Sequence, residues 1–110
     1  MGGSNVVILD IGKEFTTHLG TRLRTSGPFS GQEYYEDHLL PAWNSGKTVV
    51  VFLDSIEGPT PSFFEEVFGG LVREVGLPEV KKRLLLQAND NIHLATQAWR
   101  YMNEAGETKE

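Results

Sequence analysis

No cysteine occurs among the 110 residues. That excludes a thiolate nucleophile, a CxxC redox pair and any cysteine-ligated zinc, and it accords with a reducing compartment, so a cytoplasmic location is expected. Long apolar runs are missing too. Nothing approaches the ~20 apolar residues that span a bilayer, and no signal-peptide pattern precedes the first polar residues, so no membrane association is expected. Basic residues are in deficit, with 10 Lys and Arg against 15 Asp and Glu and a formal charge of -5. Sequence-independent nucleic-acid binding works by neutralising phosphates, so nucleic acid is not an expected partner. His18, His38 and His93 lack the i, i+4 or clustered spacing of metal ligands, and neither a metal nor a cofactor is expected.

The chain does have apolar mass: 39% of its residues are hydrophobic, with two Trp, six Phe and three Tyr. This is enough for one compact core and not for two, and it needs no cross-link. One domain over residues 5–104 is expected, as a monomer or weak homodimer. Residues 1–4 and 105–110 are expected to be flexible ends, because the chain after Met102 turns polar.

Val6-Val7-Ile8-Leu9, closed by Asp10 and Gly12, reads as a short buried strand. Residues 19–25 are read as a second strand. Ser30 followed by Glu33 has capping-box spacing, so a helix should begin near Gly31 and carry Tyr35, Leu39, Ala42 and Trp43 inward, with Pro41 kinking it or marking its last turn. Thr48 to Leu53 is a continuous β-branched and aromatic run, the pattern of a central strand covered on both faces. Phe64, Val67, Phe68, Leu71, Val72 and Val75 recur with helical period, and Gly76 stops that helix. Pro78 should block continuation, Leu84-Leu85-Leu86 reads as a strand, and Asp90 or Asn91 caps a last helix. The alternation implies an α/β fold: a mostly parallel or mixed sheet of about four strands with about three helices.

Ser45-Gly46-Lys47-Thr48 imitates the end of a phosphate-binding loop. It lacks the upstream glycine, where Pro41 stands, and it leads into a strand instead of a helix. No nucleophile, base and orienting group can be paired by spacing, so no catalytic residue is assigned and the protein is not expected to be an enzyme. Thr60-Pro61-Ser62-Phe63-Phe64-Glu65-Glu66 does stand out. It permits two helix starts, with Thr60 as cap and Pro61 in the first position, or with Ser62 as cap and Glu65 closing a capping box. Hydroxyls at a helix start either cap it or accept a charged modification or anion there, making Thr60 and Ser62 the candidate switch or anion site. Arg22 and Arg24 are the candidate counter-charges. In helical projection Phe63 and Gly70 fall off the core face, which makes them candidate partner contacts.

The stretches Gly27-Pro28-Phe29-Ser30-Gly31-Gln32-Glu33-Tyr34, Leu40-Pro41-Ala42 and Ser62-Phe63-Phe64-Glu65-Glu66-Val67-Phe68-Gly69-Gly70-Leu71-Val72-Arg73 resemble the bacterial STAS-like family of unknown function, over most of residues 5 to 104. That resemblance implies a distant kinship with the anti-sigma-factor antagonists, single domains that bind a kinase partner and are released by phosphorylation of a serine at the start of a helix. By position that serine corresponds to Ser62. The antagonist pattern Asp-Ser-Ser-Gly-Leu is not kept, since Thr60 and Pro61 precede Ser62 and Phe63 takes the glycine position. The resemblance implies a non-catalytic module that docks a protein, with a kinase-like regulator as the expected kind of partner. A small-anion or nucleotide-binding domain using the same helix start is the alternative.

Overall fold

The computed structural model of the chain describes residues 5–58 and 60–108. Three parallel strands, β1 (Val6–Asp10), β2 (Thr48–Phe52) and β3 (Leu84–Gln87), form one sheet in chain order with β2 in the centre. Side chains alternate across a strand. Leu9, Val49, Val51 and Leu84 therefore share one face, where each is at most 9% exposed and joins the core. The opposite row, Ile8↔Val50↔Leu85, crosses all three strands. Ile8 is 58% and Leu85 52% exposed.

The helices supply the rest of the core. Helix α1 (Ile11–Glu14) follows β1 directly, and the Asp10 carboxylate accepts the Lys13 N–H at 3.2 Å as its cap. A strap, residues 16–30, with a 3-10 turn at Arg24–Ser26, leads to α2, residues 31–44. The buried Ser30 Oγ accepts the Glu33 N–H at 3.1 Å and caps α2 as the spacing implies, while the Glu33 carboxylate accepts the N–H of Phe29 instead of the Ser30 N–H that would complete a capping box. Helix α3 covers residues 60–75, α4 is Leu77–Arg83 and α5 is Ile92–Thr108. Both α2 and α3 contain one widened turn with i→i+5 bonding, at Tyr35–Leu39 and Glu65–Gly69. α3 touches α2 on one side and α5 on the other.

Several expectations are corrected. Residues 19–25 form no strand, because their backbone groups go to the start of α2. Gly20 N–H donates to Phe29 O at 2.9 Å, while Thr21 O and Arg22 O accept Gly31 N–H and Gln32 N–H. An isolated parallel bridge, His18↔Glu57, is the strap's one pairing in the described residues. Among the described residues the sheet thus has three strands instead of four, and there are five helices instead of three. α3 does end at Val75, before Gly76 and Pro78, but Pro78 also opens a further helix, α4, that was not expected, since the N–H it lacks would be unpaired in a first turn anyway. β1 and β2 are covered on one face only, so Ile8 is exposed and Val50 is half-buried.

The polar end is not a loose tail, because α5 runs on through Thr108 and Ala105 is buried. A Cβ on Gly106 would lie 3.0 Å from Leu77 Cδ2, so the small residues there allow α5 to close on α4. Residues 1–4, Lys109 and Glu110, expected to be flexible ends, lie outside the described residues. No helix among the described residues is long and apolar enough to cross a membrane.

Candidate functional site

Helix α3 begins at Thr60 with Pro61 in its first turn, nearer the Thr60–Pro61 start than the Ser62 start. The Thr60 hydroxyl donates to Gln97 Oε1 at 2.8 Å, which ties the start of α3 to α5. Ser62 is exposed, and its hydroxyl makes no hydrogen bond within the described residues. The Ser62–Glu65 capping box does not form, since the Glu65 carboxylate is taken by two arginines.

Phe63 is not the exposed contact that a helical projection implies. It is 0% exposed, with its ring centroid 6.1 Å from Tyr34 and 6.3 Å from Phe15. The widened turn at Glu65–Gly69 inserts a residue and rotates the first turn relative to the rest of α3, so one helical wheel misplaces it. Gly70 is half-buried, and a Cβ there would meet Tyr35 Cε1 at 3.9 Å; it faces α2 in ordinary contact. The expected exposed stripe of Phe63 and Gly70 does not exist.

Arg22 and Arg24 are both engaged within the chain. Arg22 pairs with Glu65 and, at 3.4 Å, with Glu66; Arg24 pairs with Glu36 at 3.0 Å and Asp37 at 2.9 Å. Arg73 pairs with the other Glu65 oxygen. Glu65 is therefore a bridge between the strap and α3. The hydrogen bond from Arg73, then that from Arg22, holds its carboxyl below the usual range, while partial burial opposes the shift. The Glu65 contact conversely raises Arg22. Neither arginine is available as a ready anion clamp, and Glu65 stays ionised at neutral pH.

The other polar candidates are dispersed. His18 pairs with Glu57 at 3.3 Å with both side chains exposed, and His38 stacks on Tyr34 at 5.2 Å. Among the described residues no group of His, Cys, Asp or Glu is arranged to hold a metal. Gly46 sits in the loop that enters β2 with φ 84, so Ser45 to Thr48 is a turn into a strand. Arg83 lies 3.9 Å over the Trp43 ring and donates to Trp43 O and Lys47 O. The Arg22–Glu65–Arg73 bridge and the Thr60–Gln97 bond were not read from the sequence, and no local pattern marks either.

Fold and site together define a small α/β domain with helices layered on one side of a parallel sheet and a free serine hydroxyl at the start of its central helix. The family described as STAS-like domain of unknown function (DUF4325) matches residues 30–93. That span is more than half of the chain, and the chain belongs to this family. It runs from the α2 cap through α3 to the first turn of α5, leaving β1 and most of α5 outside. No curated protein and no solved structure matches the chain.

Proposed function

We propose that this domain is a non-catalytic protein-binding switch module of bacterial signalling, whose partner, a kinase-like regulator, docks at the start of α3 and is governed by phosphorylation of Ser62. One observation carries the reading: Ser62 is exposed, with no hydrogen bond to its hydroxyl among the described residues, on a helix start whose surroundings are otherwise fixed, with Phe63 buried beneath it and Thr60 tied to Gln97. A phosphoryl group there adds a charge of about −1.5 to −2 at neutral pH. It enters three and four residues ahead of Glu65 and Glu66 and competes with them for Arg22. The modification therefore alters both the docking surface and the anchor of the strap. The engagement of Arg22 and Arg24 by carboxylates weighs against the small-anion alternative.

The test is capture of the partner from the native host, mass analysis of residue 62, and comparison of Ser62→Asp with the parent at equal salt. Ser62→Asp is expected to stay folded and to bind at least tenfold more weakly, because new charge enters a contact fitted to a neutral hydroxyl. Ser62→Ala is expected to keep its binding and to change stability by less than about 0.5 kcal/mol, since the hydroxyl caps nothing. Equal affinity of parent and Ser62→Asp would end the switch reading.

A further inference from the structure

The outward face of the sheet has no covering layer among the described residues, although parallel sheets are ordinarily covered on both faces. Its outward positions are Val6 and Ile8 on β1, Thr48, Val50 and Phe52 on β2, and Leu85 and Gln87 on β3, with Asp10 at one corner. In a chain of charge -5 this is a patch with a single charged residue, at its edge. Val50 and Phe52, though half-buried, are not packed against the core. Exposure of Ile8 at 58% and Leu85 at 52% places water on a continuous apolar row.

We propose that this face binds a second copy of the same chain, the two sheets stacking about a two-fold axis that runs along the row Ile8–Val50–Leu85. Charge decides for a second copy. Because all three strands run the same way, their starts lie beside Lys47 and the last turn of α4, where Lys81, Lys82 and Arg83 outnumber Glu79, the partner of Lys82, and their ends lie beside Asp10, Glu14, Asp54 and Asp90, which outnumber Lys13. A two-fold axis across the strands reverses one sheet against the other, so the basic end of each copy lies over the acidic end of its mate. The same operation puts Ile8, Val50 and Leu85 over their own counterparts, as an isologous contact requires. The carboxylate of Asp54 accepts the N–H groups of Asn89 and Asp90, which holds it below its usual pKa and keeps that end negative.

Size sets the strength. Three strands about 4.8 Å apart and four or five residues long, at about 3.3 Å each, give a flat face of roughly 200 Å², against the roughly 800 Å² per partner of a standard interface. The pair is therefore weak and forms only at high protein concentration. This inference is independent of Ser62, which lies on a helix of the opposite layer.

Sedimentation equilibrium across a concentration series tests it on the full chain. The parent is expected to move from monomer to dimer, and Ile8→Lys and Leu85→Lys each to raise the dissociation constant at least tenfold while keeping the parent's near-ultraviolet circular dichroism. Leu23→Lys, at an exposed apolar site elsewhere, is expected to leave the constant unchanged. Raising salt from about 0.05 to 0.5 M is expected to weaken the pair severalfold, because its end contacts are exposed charges. Sheets stack about 10 Å apart, so a bis-maleimide of about that reach is expected to cross-link Ile8→Cys and not Leu23→Cys in this otherwise cysteine-free chain. A parent that stays monomeric at millimolar concentration overturns the proposal, even if the face then captures a helix of another protein. So does a dimer indifferent to both lysine variants.

Discussion

Gly31 and Phe63 touch backbone to backbone: a Cβ built on Gly31 would sit 3.0 Å from the Phe63 carbonyl oxygen and 3.3 Å from its Cα. The first turns of α2 and α3 are thus pressed together with no room for a side chain, and the Phe63 ring is enclosed by Phe15, Tyr34 and Phe64. Gly31→Ala should destabilise the fold by about 1–3 kcal/mol through overpacking, although alanine is the better helix former. Gly70→Ala should do the reverse and stabilise by about 0.5–1 kcal/mol, because its nearest neighbour is 3.9 Å away. Urea midpoints of the two variants check the contrast, and equal shifts would contradict it.

Glu65→Gln should cost about 1 kcal/mol at neutral pH, since it breaks two partly exposed ion pairs with Arg22 and Arg73. The sign with pH follows from the direction of the shift. Glu65 is held below its ordinary value of 4.5, so its contribution is complete above pH 4.5 and is lost as pH falls through the lower folded-state value. Stability of parent and variant, measured from pH 7 downward, should therefore converge at low pH. A gap that stays constant with pH would mean that the effect is packing and not charge.

Truncation after Asn103 should destabilise by about 1–2 kcal/mol, because Ala105 is buried and Gly106 packs on Leu77. Each kcal/mol corresponds to a melting-temperature drop of about 4–8 °C for a domain near this size. Gly106→Val should lose a similar amount by pushing α5 off α4. An unchanged melting temperature for the truncated chain would show that the final turns contribute nothing.

Arg83→Lys should cost about 1–2 kcal/mol despite keeping the charge. The planar guanidinium both stacks on Trp43 and donates to the carbonyls of Trp43 and Lys47, and a lysine ammonium cannot hold that geometry. Thermal unfolding at moderate salt, where bulk charge is screened, checks it.

Local chemistry made much of this protein legible before folding. The β-branched run at Thr48 to Phe52 is a strand, Ser30 caps α2, Gly76 stops α3 with φ 95, and the family motif around Ser62 lies in the span matched to the family. Each depends on neighbours within a turn or a pleat, where periodicity and capping act. What lay beyond that range was decided by tertiary packing. A widened turn in α3 buried Phe63, a partner 43 positions away took up Arg22, and close approach to Leu77 kept residues past Asn103 helical. The middle row of the outward face, Ile8, Val50 and Leu85, is as hydrophobic in sequence as Leu9, Val49 and Leu84 on the inward face, although Asp10, Thr48 and Gln87 make the outward face as a whole more polar. Which face met the helices was set by the way the connections pack, because alternation along a strand separates two faces without saying which one will find a layer to cover it.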